Sequence, residues 1–169
     1  GNAHWLSAEI FVKSGDNVNA ILSAKKALEM NPNRWEAYAT MGLAHKRMTQ
    51  DQLAYKEFER AVGGDPQNAK AAHWRYQMLD ILDHPGGGGV KGALTLAKDC
   101  VKYASAIEPK PPWLPKARFF LGKALRGVDD TAAKKELVEY LNATTGTSDP
   151  SRADAKAELA AMGAPYAGP

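Results

Sequence analysis

The sequence predicts an all-α protein made of repeated helix pairs, and three observations carry that expectation. Apolar residues recur at helical spacing in nine stretches. No period-two run of β-branched or aromatic residues is bounded by hairpin turn pairs. The segment ALEMNPNRWEAY, residues 27–38, is echoed by AVGGDPQNAKAAHW, residues 61–74, so that a phrase of alanine, proline, asparagine and an aromatic returns after 34 residues. A fixed interval of that length marks helical units stacked in series.

The helices are expected at 3–14, 17–30, 34–48, 51–63, 68–83, 90–107, 113–126, 130–143 and 151–162. Ser14-Gly15-Asp16-Asn17 parts the first two, and Asn31-Pro32-Asn33 parts the second from the third. Such short polar punctuation sends the chain straight back, so neighbouring helices run antiparallel. In the third and fourth, small residues at Gly42, Ala54 and Ala61 let two helix axes approach closely. Phe11 and Phe58 have the size to fill the space between pairs. Pro32 and Pro66, following Asn or Asp, end one helix and start the next.

YQMLDILDH reads as the end of the fifth helix, and HPGGGG after it as a mobile extended turn, because glycine has no side chain to pack and is costly to order. EPKPPWLP, residues 108–115, is a stiff spacer with Trp113 packed at the entry to the seventh helix. GVDD separates the seventh from the eighth. Ser151-Arg152-Ala153-Asp154 has the form of a capping box at the start of the ninth, whose apolar stripe is Ala157, Leu159, Ala160 and Met162, closed by Gly163. The tail APYAGP is expected to fray.

The second unit resembles a tetratricopeptide repeat, the helix-turn-helix family of 34 residues per unit. Its eight signature places are held by Tyr38, Met41, Gly42, His45, Ala54, Phe58, Ala61 and Pro66. In the first unit they are His4, Ser7, Ala8, Phe11, Ala20, Ala24, Ala27 and Pro32. A fourth unit shows Ala117, Leu121-Gly122, Leu125, Ala133, Leu137 and Pro150, while the third departs from the pattern at Arg75 and Tyr76 and carries extra residues at its turn. The resemblance implies a right-handed α-solenoid of about four helix pairs. The units are 1–34, 35–68, 69–110 and 111–150, with a capping helix at 151–163, forming one domain over 1–163.

The resemblance also implies a concave groove lined by positions two, five, nine and twelve of each unit. Carried over, these are Asn2, Trp5, Glu9 and Val12; Glu36, Ala39, Leu43 and Lys46; Lys70, His73 and Gln77; and Lys116, Phe119, Lys123 and Arg126. Trp5, Val12, Leu43 and Phe119 would be exposed apolar anchors beside a basic end, a combination suited to a peptide or helix with apolar and acidic side chains. Relatives that clamp a C-terminal carboxylate carry a Lys and Asn ladder, whereas here those places hold Trp5, Glu9, Thr40 and Leu43.

The bulk numbers narrow the class of function. The 169 residues include 22 basic and 19 acidic ones, interleaved along the chain, so a nucleic-acid-binding field is not expected. No apolar run approaches the roughly 18 residues a membrane helix needs. Cys100 has no partner cysteine, which fits a reducing cytoplasm, and also a periplasm for a longer chain. The opening GNAHWL already lies inside a helical pattern, so the sequence is expected to be a piece of a longer protein, with any targeting segment outside it.

Gly87-x-Gly89-x-x-Gly92 matches the dinucleotide pattern in letters only, because a helix rather than a strand precedes it. His4, His45, His73 and His84 are not paired at metal-ligand spacing, and no catalytic signature surrounds Cys100. No cofactor, metal or catalytic residue is expected. The expectation is a non-enzymatic adaptor that binds a peptide or helical segment of a partner protein. The alternative is a scaffold that self-assembles through its ends or groove, with Trp5 at the exposed first unit as the stacking residue.

Overall fold

The computed structural model describes residues 2–169. Among these are nine α-helices and no strand: α1 Asn2–Ser14, α2 Asn17–Met30, α3 Trp35–Arg47, α4 Asp51–Gly64, α5 Ala71–Asp83, α6 Leu94–Ser105, α7 Leu114–Leu125, α8 Asp130–Ala143 and α9 Ser151–Ala161. They fall into two compact units, Gly1–Ile81 and Leu82–Pro169.

In the first unit the reversals are made by local side-chain chemistry. Asp16 caps α2, its carboxylate accepting the Asn19 N–H at 3.2 Å. Asn31 ends α2, and its Oδ1 accepts the Asn33 N–H at 3.1 Å. These contacts satisfy backbone groups that a helix end leaves unpaired. Asn68 accepts the Lys70 N–H at 2.9 Å, which folds residues 68–70 into a turn and delays α5 from the expected residue 68 to Ala71.

The core of this unit is an alanine seam with a few large plugs. Ala24 and Ala27 of α2 cluster with Ala8 of α1 and with Ala37 and Met41 of α3. Ala20 meets Val12 and Ala44. Small side chains at these crossings bring the axes close, and Phe58, fully buried, fills the remaining space above Gly42. Arg75, in a place where the repeat expects an apolar residue, is buried and donates from Nη2 to the Pro66 carbonyl at 3.1 Å.

The second unit packs α6 on α7, α7 on α8 and α8 on α9. Phe119, Phe120, Leu137, Tyr140, Leu141 and Leu159 are fully buried in it. Asp129 caps α8, accepting the Ala132 N–H at 3.0 Å. Cys100 is buried in α6.

Two local expectations are corrected here. The glycine-rich segment is a hydrogen-bonded turn: Gly87 N–H donates to the His84 carbonyl and Gly89 N–H to the Leu82 carbonyl, both at 2.9 Å, and Val90 is buried. Gly86, Gly88 and Gly89 have φ between 81° and 91°, a region that side chains disfavour, which is why this turn needs glycine. The ninth helix is capped by Asp149, whose Oδ1 accepts the Ser151 N–H at 3.0 Å, and no capping box forms. Its buried residues are Ala155 and Leu159, with Ala157 and Ala160 on the exposed side. In the tail Tyr166 donates to Asn142 Oδ1 at 2.7 Å, and Arg152 donates to the Pro169 carbonyl at 2.8 Å.

Candidate functional site

The residues expected to line the groove lie on the first helices of the pairs, and in the first unit they form two clusters, one around Trp5 and one around Lys46. Trp5 is half-buried, packed on the alanine seam. The Arg34 guanidinium lies 5.1 Å and the Lys70 ammonium 5.5 Å from its ring, close enough for both cations to feel the ring's negative face. Its indole Nε1 is buried without a hydrogen-bond partner. Lys70 also pairs with Glu9 at 3.5 Å, linking α1 to the approach to α5. Asn2 accepts from Arg34.

Along the same helices, Lys46 donates to Gln77 Oε1 at 2.6 Å and forms an ion pair with Asp80. Gln77 Nε2 lies 3.0 Å from His73 Nε2, so Gln77 donates and the imidazole accepts, leaving its proton on Nδ1. The His73 pKa is lowered by burial first and by the nearby Lys46 charge second. His73 stacks on Tyr76 with ring centroids 6.0 Å apart. Leu43 is half-buried against Val12, Ala20 and Ala44.

In the second unit Phe119 packs on Phe120 and Tyr140, its centroid 5.1 Å from the Tyr140 ring. Lys116 and Lys123 stand 5.3 and 5.1 Å from the Phe119 ring. Lys123 donates to Asp83 at 2.9 Å and to Asp154 at 2.8 Å. Burial alone would lower the Lys123 pKa, but the hydrogen bonds and charges of Asp154 and Asp83 outweigh it and raise the value. Arg126 pairs with Glu158, and Lys116 with Asp149. Asp149 is pushed up by burial but held below its ordinary pKa by the Ser151 N–H, Tyr140 and Lys116.

The expected exposed anchors are therefore only partly available. Val12 is 6% exposed because it covers Ala20 and Ala44, Ala39 is 4% exposed, and Phe119 is fully buried in an aromatic cluster. Trp5 and Leu43 remain half-exposed. The expected basic end is a row of ion pairs, since α9 supplies Asp154 and Glu158 to Lys123 and Arg126. Sequence reasoning missed these acids, although a signal was present: Asp80, Asp154 and Glu158 follow their cations by 34, 31 and 32 residues, close to one repeat.

Among the described residues no group of His, Cys, Asp and Glu is arranged to hold a metal ion, and no helix is long and apolar enough to cross a membrane. His45 lies 2.7 Å from Gln50 Oε1 across the turn between α3 and α4.

No protein-family model matches the chain. It is 31% identical over 115 residues to the BBSome complex member BBS4 of Bos taurus, covering 68% of this chain and 21% of that protein. Among solved structures, YrrB, a TPR protein with an unusual peptide-binding site, superposes with a TM-score of 0.72 at 20% identity, covering 95% of this chain and 76% of that one. A structure of MamA gives a TM-score of 0.68 at 14% identity, covering 96% and 82%. The O-GlcNAc transferase of Thermobaculum terrenum gives 0.60 at 21%, covering 85% of this chain but 26% of that one. The chain thus spans about a fifth of the length of the curated relative and about a quarter of the transferase.

Proposed function

From the tetratricopeptide-repeat fold that this chain has, we propose that it is a non-enzymatic protein-interaction module that binds a peptide or helical segment of another protein across its first helices. The observation that carries this reading is the pair of ordered polar and aromatic clusters on the first helices α1, α3 and α5. There Lys70 contacts both Trp5 and Glu9, and Lys46 reaches Gln77. Such a face offers an aromatic platform at one end, an aliphatic contact at Leu43, and donors and acceptors fixed by their neighbours before a partner arrives. Preorganisation of this kind lowers the ordering cost of binding.

Two comparisons support the reading. YrrB has a peptide-binding site of its own, and BBS4 is a member of a protein complex. Peptides selected from a random displayed library against the chain, then measured by fluorescence anisotropy, test it. Trp5→Ala and Leu43→Glu are expected to weaken the selected peptides about tenfold or more, the range of an interface hot spot, while far-ultraviolet dichroism stays helical. Unchanged affinity in both variants removes this face as the binding site.

A further inference from the structure

The ion pairs of the first helices follow the repeat. Lys46 is answered by Asp80, 34 residues on. In the second unit Lys116 is answered by Asp149, Lys123 by Asp154 and Arg126 by Glu158, which lie 33, 31 and 32 residues on. Glu36, at position two of the second repeat, breaks the series. The cation one repeat later is Lys70, but its ammonium goes to Glu9 of α1 and to the Trp5 ring. The residue that reaches Glu36 is Asn68, whose neutral Nδ2 donates to Oε1 at 3.2 Å.

Asn68 is itself fixed from three sides. The same Nδ2 donates to Asp65 Oδ2 at 3.1 Å, and Oδ1 accepts the Lys70 N–H at 2.9 Å. Glu36 therefore has an amide beside it and forms no ion pair among the described residues, and its Oε2 is neither hydrogen-bonded nor buried. Asp65, on the far side of the amide, adds a second negative charge to the neighbourhood. The nearby Arg34 also lacks an opposite charge, but its guanidinium lies on the Trp5 ring and donates to Asn2. Leu43 follows Glu36 by seven residues, so both leave α3 on the same side, about 10 Å apart along the axis.

We propose that the partner segment presents a lysine or arginine side chain to Glu36, with an apolar side chain beside it on Leu43. The inference rests on the peptide-binding reading of this face and names the partner's chemistry, basic and apolar, where the groove positions alone imply apolar and acidic. A spacing of about 10 Å is two turns of a helix or three residues of extended chain. A charge-assisted hydrogen bond to Oε2 leaves the Asn68 contact at Oε1 in place, so no internal partner is displaced. An acidic visitor at Lys46, Lys123 or Arg126 meets the reverse, because each already holds a carboxylate.

Peptides selected from the random displayed library against the full chain are the probe. Their sequences should share a lysine or arginine, and replacing it by glutamine in the synthetic peptide should weaken binding about tenfold in fluorescence anisotropy. Glu36→Gln keeps the shape and an acceptor for Asn68, which dichroism and the urea midpoint check. It should cost the same factor and remove the difference between the basic peptide and its glutamine form. Glu36→Lys should favour glutamate at that peptide position. Two results overturn the proposal while the binding face stands. One is a set of peptides weakened by Trp5→Ala or Leu43→Glu but not by Glu36→Gln, and the other is a selected pool whose shared charge is acidic. A chain that selects no peptide removes the face itself, and this contact with it.

Discussion

Gly122 lies beneath Leu137: a methyl group at position 122 would fall 2.7 Å from Leu137 Cγ and 2.8 Å from its Cδ2, well inside van der Waals contact. Gly42 stands in the same relation to Phe58, with the ring atoms 3.0 Å from the place a Cβ would take. Leu137 is fully buried and cannot swing away. Gly122→Ala should therefore lower stability by about 1–3 kcal/mol, the cost of overpacking, despite the gain of up to about 1 kcal/mol that alanine brings inside a helix. Gly63→Ala in α4 meets nothing within 4 Å and should be neutral or stabilising. Urea unfolding midpoints compare the two, and a stabilising Gly122→Ala would mean that the α7–α8 crossing has room to spare.

Phe119→Ala separates a groove residue from a core residue. The ring has no exposed surface and packs on Phe120 and Tyr140, so its removal should cost about 3–5 kcal/mol. An exposed anchor would change stability by no more than roughly 0.5 kcal/mol. Chemical denaturation reads the difference directly.

His73 should make stability pH-dependent in a stated direction. Its folded pKa lies below the unfolded value of about 6.5 because burial and Lys46 disfavour the cation. The native state therefore binds fewer protons than the unfolded chain in that window. The contribution is fully present above pH ~6.5 and is lost as pH falls through the folded pKa. Protonation at Nε2 also breaks the hydrogen bond from Gln77 and sets a second positive charge near Lys46. Urea midpoints between about pH 8 and about pH 5 should fall for the wild-type chain and fall less for His73→Asn. Parallel curves for the two proteins would remove the effect.

The helices were legible because their signals are local. Apolar spacing and the Gly, Asn and Pro punctuation put every helix within four residues of its place, and the small residues Gly42, Ala54 and Ala61 marked the close crossings in advance. The glycine turn was misread because its order comes from two backbone hydrogen bonds and the burial of Val90, neither of which composition reveals. The candidate face was harder to read. A position number says which way a side chain leaves its helix but not what the neighbouring helix lays over it, so Val12 and Phe119 looked available and are covered. The cations of α3 and α7 looked free for a related reason: their carboxylates arrive from the helix one repeat later, beyond the range of any i, i+4 rule.

Lys46, Lys123 and Arg126 each hold a carboxylate borrowed from within the same polypeptide. A visiting carboxylate that reaches any one of these cations must evict that internal counter-ion, so docking there is a substitution in which the number of ion pairs is conserved. Added salt screens the departing pair and the arriving pair alike. Recognition at these cations would then be almost indifferent to ionic strength, leaving discrimination to the fit of the visitor's backbone and apolar side chains.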